Sequence, residues 1–294
     1  MALEQEWRGS DRQGITMDLI NLSKKLQKRE AFPPIPAVVS EIIQEIDYGE
    51  ISMENLGRLI QKDVCLATHI IRHANAGAYS SAGPVSTVIQ SIKVMGFRVL
   101  KGLCLSLPVF SQFRDVPGVM GLWRHSYITS ACCRIIAERI KLPALDEAET
   151  SGLLHDLGKI FMYLEMPQFI GPRLSVSDAS SGEPDWVVER NSLGIDHSFI
   201  GARYGRMFNF PESILNPILW HHEPHKATAN QELTHVCSLG DKIASIIGAG
   251  HPDYVYVETS LLQSLDYLGI RKGIFQFILM DCLDRASNMM YFEL

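Results

Sequence analysis

The chain has 294 residues, of which 46% are hydrophobic and 20% charged, a composition typical of a folded protein with one large domain or two smaller ones. Its net charge of −6 argues against an extended nucleic-acid-binding surface, because such a surface is normally basic. The net charge is compatible with a small ligand that carries a phosphate, since one local Lys or Arg can bind it.

The expected location follows from the cysteines and the hydropathy. The six cysteines form no C-x-x-C pair, and their mostly apolar settings are typical of buried free thiols in a reducing compartment. The N-terminus lacks the apolar core of a signal peptide. The longest apolar stretch, 99–110, is shorter than a membrane span and contains Lys101. We therefore expect a cytoplasmic protein with no membrane-spanning segment.

Helical spacing of apolar residues dominates the N-terminal part of the chain. Residues 1–15 are polar and are expected to form a loose segment. After them, the spacing predicts helices over 17–28, 38–46, 52–62, 64–74, 88–94 and 99–107. Ser52 and Asp63 are the expected N-caps of two of these helices, and Gly96 separates the last two.

The C-terminal part is also predicted to be helical. Pro117 and Gly118 mark the expected boundary before it, and residues 171–185, rich in Ser, Asp, Gly and Pro, are predicted to be a loop. Helices are predicted over 123–141, 146–164, 197–208, 212–221, 231–247, 258–268 and 271–290, the last as one helix or two. We therefore expect an all-α fold with an N-terminal helical lobe over 16–117, a core over 118–250 and C-terminal helices over 251–294 that pack on the core.

The most informative pair of residues is His155-Asp156, within the run Gly152-Leu-Leu-His-Asp-Leu-Gly-Lys159. Burial of both groups without partners would be costly. Groups of the same ligand types recur at helix-compatible apolar positions on either side, at His125, His197, His221, His222 and Asp241. Imidazoles and carboxylates suit first-row divalent metals, and facing helices of a bundle commonly assemble such sites. The sequence therefore predicts a buried metal centre.

Other candidate motifs are weaker. The run from Gly152 to Lys159 resembles a P-loop, but its glycine spacing is wrong and it lacks the hydroxyl that would hold magnesium. Cys132 is interpreted as a core thiol rather than a nucleophile. The remaining histidines are expected to be hydrogen-bonded core or surface groups, and four methionines are expected to fill the core: Met95, Met162, Met166 and Met280.

With these residues in place, the chain resembles the HDOD family, the HD-related output domain proteins of bacterial signalling, over about residues 30–245. The resemblance implies an all-α N-terminal lobe followed by an HD-type helical core. The segments that carry it are Phe32-Pro-Pro-Ile-Pro-Ala-Val-Val, Ile71-Arg-His-Ala-Asn-Ala-Gly-Ala-Tyr79, the segment 85–103 around Met95-Gly96, Leu122-Trp-Arg-His-Ser126, the His155-Asp156 run, Asp196-His-Ser-Phe-Ile-Gly201 and Trp220-His-His-Glu-Pro224.

The resemblance extends to HD-domain metal-dependent phosphohydrolases, whose H…HD…D ligand order maps onto His125, His155, Asp156 and Asp241. His197 and the His221-His222 pair resemble the additional ligands of two-metal HD proteins such as the HD-GYP cyclic-di-nucleotide phosphodiesterases, in which the position of Asp156 bridges the metals. Lys159 matches the lysine that contacts the substrate phosphate in those relatives.

Two departures from these relatives limit the comparison. No Asp-Gly-x-Gly-Tyr-Pro segment follows Glu223, so specificity for cyclic-di-GMP is not supported. Gly121 stands where some relatives carry a glutamate for a third metal, so a trinuclear site is doubtful.

Two functions follow as hypotheses. The first is a metal-dependent phosphohydrolase that acts on a nucleotide or related phosphoester, with Asp156 and Lys159 as the catalytic residues. The second is a non-catalytic signalling module that uses the metal structurally and binds a partner protein. Iron is the first expectation for the metal and manganese is the second, while nickel and zinc are further possibilities. The site could hold two metal ions.

Overall fold

A computed structural model of the chain describes residues 35–49, 51–75, 79, 83–167, 170, 184–249 and 257–289. Every regular element in these ranges is helical, so the predicted all-α fold is confirmed. The helices are α1 (Ala37–Tyr48), α2 (Met53–Ile60), α3 (Val64–Asn75), α4 (Val88–Gln112), α5 (Val119–Arg139), α6 (Leu145–Leu154), α7 (Gly158–Glu165), α8 (Asp185–Leu193), α9 (His197–Met207), α10 (Glu212–Trp220), α11 (Gln231–Ala244), α12 (Val257–Tyr267) and α13 (Lys272–Met289).

The N-terminal helices begin where their caps predict. The Ser52 side chain accepts a hydrogen bond from the backbone N–H of Asn55 at 3.2 Å. Asp63 Oδ1 accepts one from the backbone N–H of Leu66 at 3.0 Å. The loose segment over 1–15, the helix predicted over 17–28 and nearly all of the loop predicted over 171–185 lie outside the described residues.

Gly96 breaks α4 into the two helical halves that the sequence predicts. Its φ of 76° and ψ of 168° lie outside the helical region, in backbone that favours glycine. A Cβ at this position would also meet the Asp146 carboxylate at 2.6 Å. Helix α4 is long and apolar enough to span a membrane, but 67% of its most apolar window is buried inside the fold. That burial is typical of a core helix.

The single helix predicted over 146–164 is wrong, because the chain turns between α6 and α7 at His155 to Leu157. Tight backbone hydrogen bonds form the turn, from Leu157 to Leu154 at 3.2 Å and from Lys159 to Asp156 at 3.0 Å. Gly158 then packs directly on the backbone carbonyl of His197, where any Cβ would collide. The apolar spacing continues through this segment, so it does not reveal the turn.

Helix α8 is a second feature that the apolar spacing does not predict. The residues that it buries are Asp185, Glu189 and Leu193, which follow one another at intervals of four on one helical face. Two of these three core-facing positions are charged, so a search for an apolar stripe passes over the helix.

Helix α5 lies at the centre of the molecule. It packs against α6, α11 and α13, and its Trp123, Tyr127 and Cys133 are buried. On the other side of α6 lies α4, which also contacts α1, α2 and α3. The boundary predicted near Gly118 falls at the N-terminus of α5, and the division into lobes stays a prediction.

A buried carboxylate joins the N-terminal helices to this centre. Glu149 of α6 accepts hydrogen bonds from His73 Nε2 at 3.0 Å, from the Tyr79 hydroxyl at 2.7 Å and from Arg134 at 2.8 Å. Burial alone would raise the pKa of Glu149, but the hydrogen bond and charge of His73, together with the Arg134 guanidinium, lower it below its ordinary value. His73 is therefore a hydrogen-bonded core residue, as the sequence predicts.

Candidate metal centre

The structure brings all seven predicted ligand residues into one buried cluster. Each comes from the end of a helix, from a turn or from a helix face in the interior: His125 on α5, His155 and Asp156 in the turn between α6 and α7, His197 at the start of α9, His221 and His222 after α10, and Asp241 on α11. His222 is half-buried, and the other six are at most 5% exposed.

Backbone carbonyls orient two of the imidazoles. His155 Nδ1 lies 2.8 Å from the carbonyl oxygen of Gly152, and His221 Nδ1 lies 2.8 Å from that of Ile218. A carbonyl oxygen can only accept, so each Nδ1 carries the hydrogen and each Nε2 keeps a free lone pair. Both Nε2 atoms are therefore in the form that binds a metal ion.

Glu189 orients the third imidazole. Its Oε2 accepts hydrogen bonds from His197 Nδ1 at 2.6 Å and from the His197 backbone N–H at 2.9 Å. A carboxylate that holds the far nitrogen of a histidine in this way is the usual support of a metal-binding imidazole. His197 Nε2 is thereby directed towards Asp156 Oδ1, at 3.0 Å.

The two oxygens of Asp156 face two different groups of imidazoles. Oδ1 lies 3.0 Å from His197 Nε2 and 3.8 Å from His221 Nε2. Oδ2 lies 3.5 Å from His155 Nε2 and 3.9 Å from His125 Nε2. Two sets of ligand atoms are compact enough to hold an ion, and Asp156 belongs to both. One carboxylate therefore faces two separate groups of candidate ligands.

Asp241 lies beside the imidazoles of His125 and His155, the two that face Asp156 Oδ2. Its Oδ1 lies 3.0 Å from His125 Nε2 and 3.8 Å from His155 Nε2. The H…HD…D set that the sequence predicts therefore converges on one side of Asp156. His197, His221 and His222 converge on the other side.

The donor set fits divalent cations. His221 Nε2 is buried and has no hydrogen-bond partner among the described residues. The Nε2 atoms of His197 and His222 lie 2.9 Å apart, and those of His125 and His155 lie 3.3 Å apart. Facing lone pairs repel unless a proton or a cation lies between them, and two carboxylates supply the charge that a cation needs. The residues present therefore suit an N/O-ligated metal centre.

Two lysines donate hydrogen bonds to the carboxylates of Asp156 and Asp241. Lys159 Nζ donates to Asp156 Oδ2 at 2.9 Å, and Lys242 Nζ donates to Asp241 Oδ2 at 2.8 Å. Burial alone would raise the pKa of both aspartates. The adjacent ammonium groups and imidazoles outweigh burial and hold each pKa well below its ordinary value. Both carboxylates are therefore ionised, as ligands must be.

The pKa values of the imidazoles differ because their surroundings differ. Burial is the main cause that lowers the pKa of His155 and holds those of His221 and His222 well below the ordinary value. Burial would also lower the pKa of His197, but the Glu189 and Asp156 carboxylates raise it to about 10. His155, His221 and His222 are therefore neutral, the form that binds a metal ion, whereas His197 carries a proton that a bound cation would displace.

Comparison with known proteins identifies the family. The family model of the HDOD domain matches residues 32–224. The chain belongs to the HDOD domain family. An uncharacterized protein of Treponema pallidum (strain Nichols) is 24% identical over 233 residues, which are 78% of this chain and 45% of the relative. This HDOD chain thus spans less than half the length of that curated relative.

Two solved structures share the HDOD fold. An HDOD domain protein with unknown function from Geobacter sulfurreducens has a TM-score of 0.68 and 19% identity, over 95% of this chain and 100% of that one. A protein from Shewanella amazonensis SB2B, provisionally named a metal-dependent phosphohydrolase, has a TM-score of 0.65 and 16% identity, over 93% of this chain and 98% of that one. At these identities the likeness shows the fold alone.

Three residues of the HDOD site were not predicted from the sequence. They are Glu189, which orients His197, Lys242, which holds Asp241, and Trp186, whose ring stacks on His222 with centroids 5.5 Å apart. Lys242 directly follows the predicted ligand Asp241, so the sequence could have indicated its role. Glu189 and Trp186 lie on α8, whose charged core face hides it from an apolar pattern.

Proposed function

We propose that this HDOD chain is a metal-dependent phosphohydrolase that acts on a nucleotide or related phosphoester. One observation carries the proposal: Asp156 presents one oxygen to each of two imidazole groups. A carboxylate between two groups of imidazoles suits a two-cation clamp on a phosphoryl group. A structural metal needs only one closed set of ligands.

The roles of the residues follow from their positions. His125, His155 and Asp241 would hold one cation, and the other three histidines would hold the second, with Asp156 shared between them. When bound, the cations would supply a nucleophile from water at neutral pH and withdraw charge from the phosphoryl group. Lys159 Nζ, at 2.9 Å from Asp156 Oδ2, lies where a cationic donor could also contact a phosphoryl oxygen.

Iron is the first candidate for the metal and manganese the second. The proposed ligands are imidazoles and carboxylates without a thiolate, a set that suits iron and manganese. Nickel and zinc accept the same nitrogen and oxygen donors, so they belong in the same test.

Burial of the cluster supports a second candidate, a signalling module in which the metal is structural. Lys159 is 4% exposed and donates to Asp156, and His155, His197 and His221 have no exposed surface. A closed ligand set of this kind suits a structural metal. The module would act in the cytoplasm by binding a partner protein, in keeping with the signalling role of HDOD proteins.

The test is hydrolysis by metal-loaded protein. The chain is loaded with Fe(II) or Mn(II) and assayed with an activated phosphodiester, a phosphomonoester and cyclic dinucleotides. Lys159→Met should keep its metal and lose about tenfold to a thousandfold in rate, because it removes one cationic contact. Lys93→Met, at an exposed lysine of α4, is the matched control and should keep the wild-type rate.

Two results would reject the hydrolase in favour of the module. One is metal-loaded wild-type protein that turns over none of these substrates. The other is a Lys159→Met rate equal to that of the Lys93→Met control.

A further inference from the structure

The last helix, α13, is apolar on two opposite faces. Its inner face packs on α5 and buries Ile278, Cys282 and Ala286. On the outer face Phe277 is 62% exposed and Met280 is 64% exposed, so the expectation that Met280 fills the core is wrong. A helix that is apolar on both faces is normally covered on both, and adjacent large apolar side chains in solvent indicate an interaction site.

We propose that the outer face of α13 binds the same face of a second copy of this chain, with the two helices antiparallel. We define the α13 face as Gly273, Phe277, Met280 and Asp284. Ile274 and Leu283, each 44% exposed, flank it on either side.

The spacing of the α13 face is self-complementary. Its members follow one another at intervals of four, three and four residues, which is the seam spacing of paired helices. These intervals are the same from either end of the helix. In an antiparallel pair, a two-fold axis near the middle of α13 therefore places the α13 faces of the two copies in register. Phe277 of each copy then packs beside Met280 of the other, and Asp284 of each copy meets Gly273 of the other.

The charges on α13 favour the antiparallel direction. Arg271 and Lys272 lie at its N-terminal end. Asp284 lies on the outer face near its C-terminal end, and the neighbouring Arg285 is half-buried. Antiparallel pairing brings each Asp284 carboxylate to the positive end of the other helix, where Lys272 also lies. A Cβ built at Gly273 has no atom within 4 Å, so a second helix can approach closely there.

The size of the face sets the expected affinity. Helix α13 has 18 residues, so it is about 27 Å long. One helical face of that length covers about half of the roughly 800 Å² per partner found in stable complexes. Interfaces of this size belong to the weak and transient class, so we expect a reversible dimer with a dissociation constant of about 10 μM or weaker.

Sedimentation velocity on the full chain, from about 1 to about 300 μM, tests the proposal. Wild-type protein should pass from monomer to dimer over this range. Phe277→Glu should raise the dissociation constant at least about tenfold, because it places a charge in the middle of the seam. Gly273→Glu should do the same, and the open space around Gly273 lets the monomer accept it without a clash.

Leu262→Glu is the matched control. Leu262 is 60% exposed on α12, outside the α13 face, so this variant should dimerise like the wild type. Melting curves of each variant establish that it is folded.

A charge exchange tests whether the occupant is a second copy. Lys272→Asp and Asp284→Lys should each weaken dimerisation, and the double variant should recover most of the loss. Wild-type protein that stays monomeric at the highest concentration would overturn the proposal. A dimer that survives both Phe277→Glu and Gly273→Glu would also overturn it, since it would use another surface.

Discussion

Removal of the charge on Glu189 should weaken metal binding although Glu189 is not itself a ligand. Its Oε2 accepts two hydrogen bonds from His197, at 2.6 Å from Nδ1 and at 2.9 Å from the backbone N–H. Glu189 is 1% exposed, so water cannot replace these contacts. The carboxylate therefore holds the His197 ring with Nε2 towards Asp156. Its negative charge strengthens the bond of that nitrogen both to a proton and to a cation, and it favours the divalent cation more because that ion carries the higher charge.

The magnitude follows from those two bonds. In Glu189→Gln the amide oxygen can still accept from both donors, so the change isolates the charge. A hydrogen bond to a charged group contributes about 1.5–3 kcal/mol and a neutral one about 0.5–1.5 kcal/mol. Only the bond from Nδ1 lies on the ring that binds the metal. For that bond the difference is about 1–1.5 kcal/mol, which corresponds to roughly five- to twelvefold weaker metal binding. Glu189→Ala leaves both buried donors unpaired and should weaken binding by about 10–100-fold, with a loss of stability as well.

The assay is competition between metal-free protein and a chromophoric chelator for Mn(II). Glu232→Gln is the matched control, because Glu232 is exposed in the first turn of α11 and should bind metal like the wild type. Equal affinities for Glu189→Gln and wild-type protein would refute the argument that Glu189 supports a metal ligand.

Three further predictions concern stability. Chelator should lower the melting temperature of wild-type protein more than that of His155→Ala, because metal bound only to the native state stabilises it; equal shifts in a thermal melt would count against a metal site at His155. Gly158→Ala should destabilise the fold by about 1–3 kcal/mol or more, measured by urea unfolding, because its Cβ collides with the His197 carbonyl; a neutral effect would mean that this close approach is absent. The folded pKa of Glu149 is depressed, so its stabilisation is present above the unfolded pKa and is lost as pH falls through the folded pKa. Glu149→Gln should therefore be less stable than wild-type protein near pH 7, and the difference in stability should disappear as pH falls through the folded pKa of Glu149; a difference that does not depend on pH would contradict this explanation.

Local chemistry made much of the fold predictable. Ser52 and Asp63 cap the helices that they precede, and Gly96 breaks α4 because its positive φ suits glycine. The seven metal-ligand candidates were also predictable, since charged and imidazole groups at apolar helical positions need partners. The structure brings all seven together, and their role as metal ligands stays a prediction.

The features that were not predictable depend on tertiary contacts. The turn at His155 to Leu157 exists because Gly158 packs on the backbone of another helix, which no local pattern records. Helix α8 buries Asp185 and Glu189, so its stability depends on partners elsewhere in the fold. Met280 has the spacing of a core residue but lies on the outer face of α13.

Asp156 is proposed to join two cation sites. Elemental analysis of protein purified without chelator and reloaded with Mn(II) tests it most directly. Wild-type protein should hold about two equivalents per chain, and Asp156→Ala should hold well below one. Equal metal content in the two proteins would show that Asp156 does not join two cation sites.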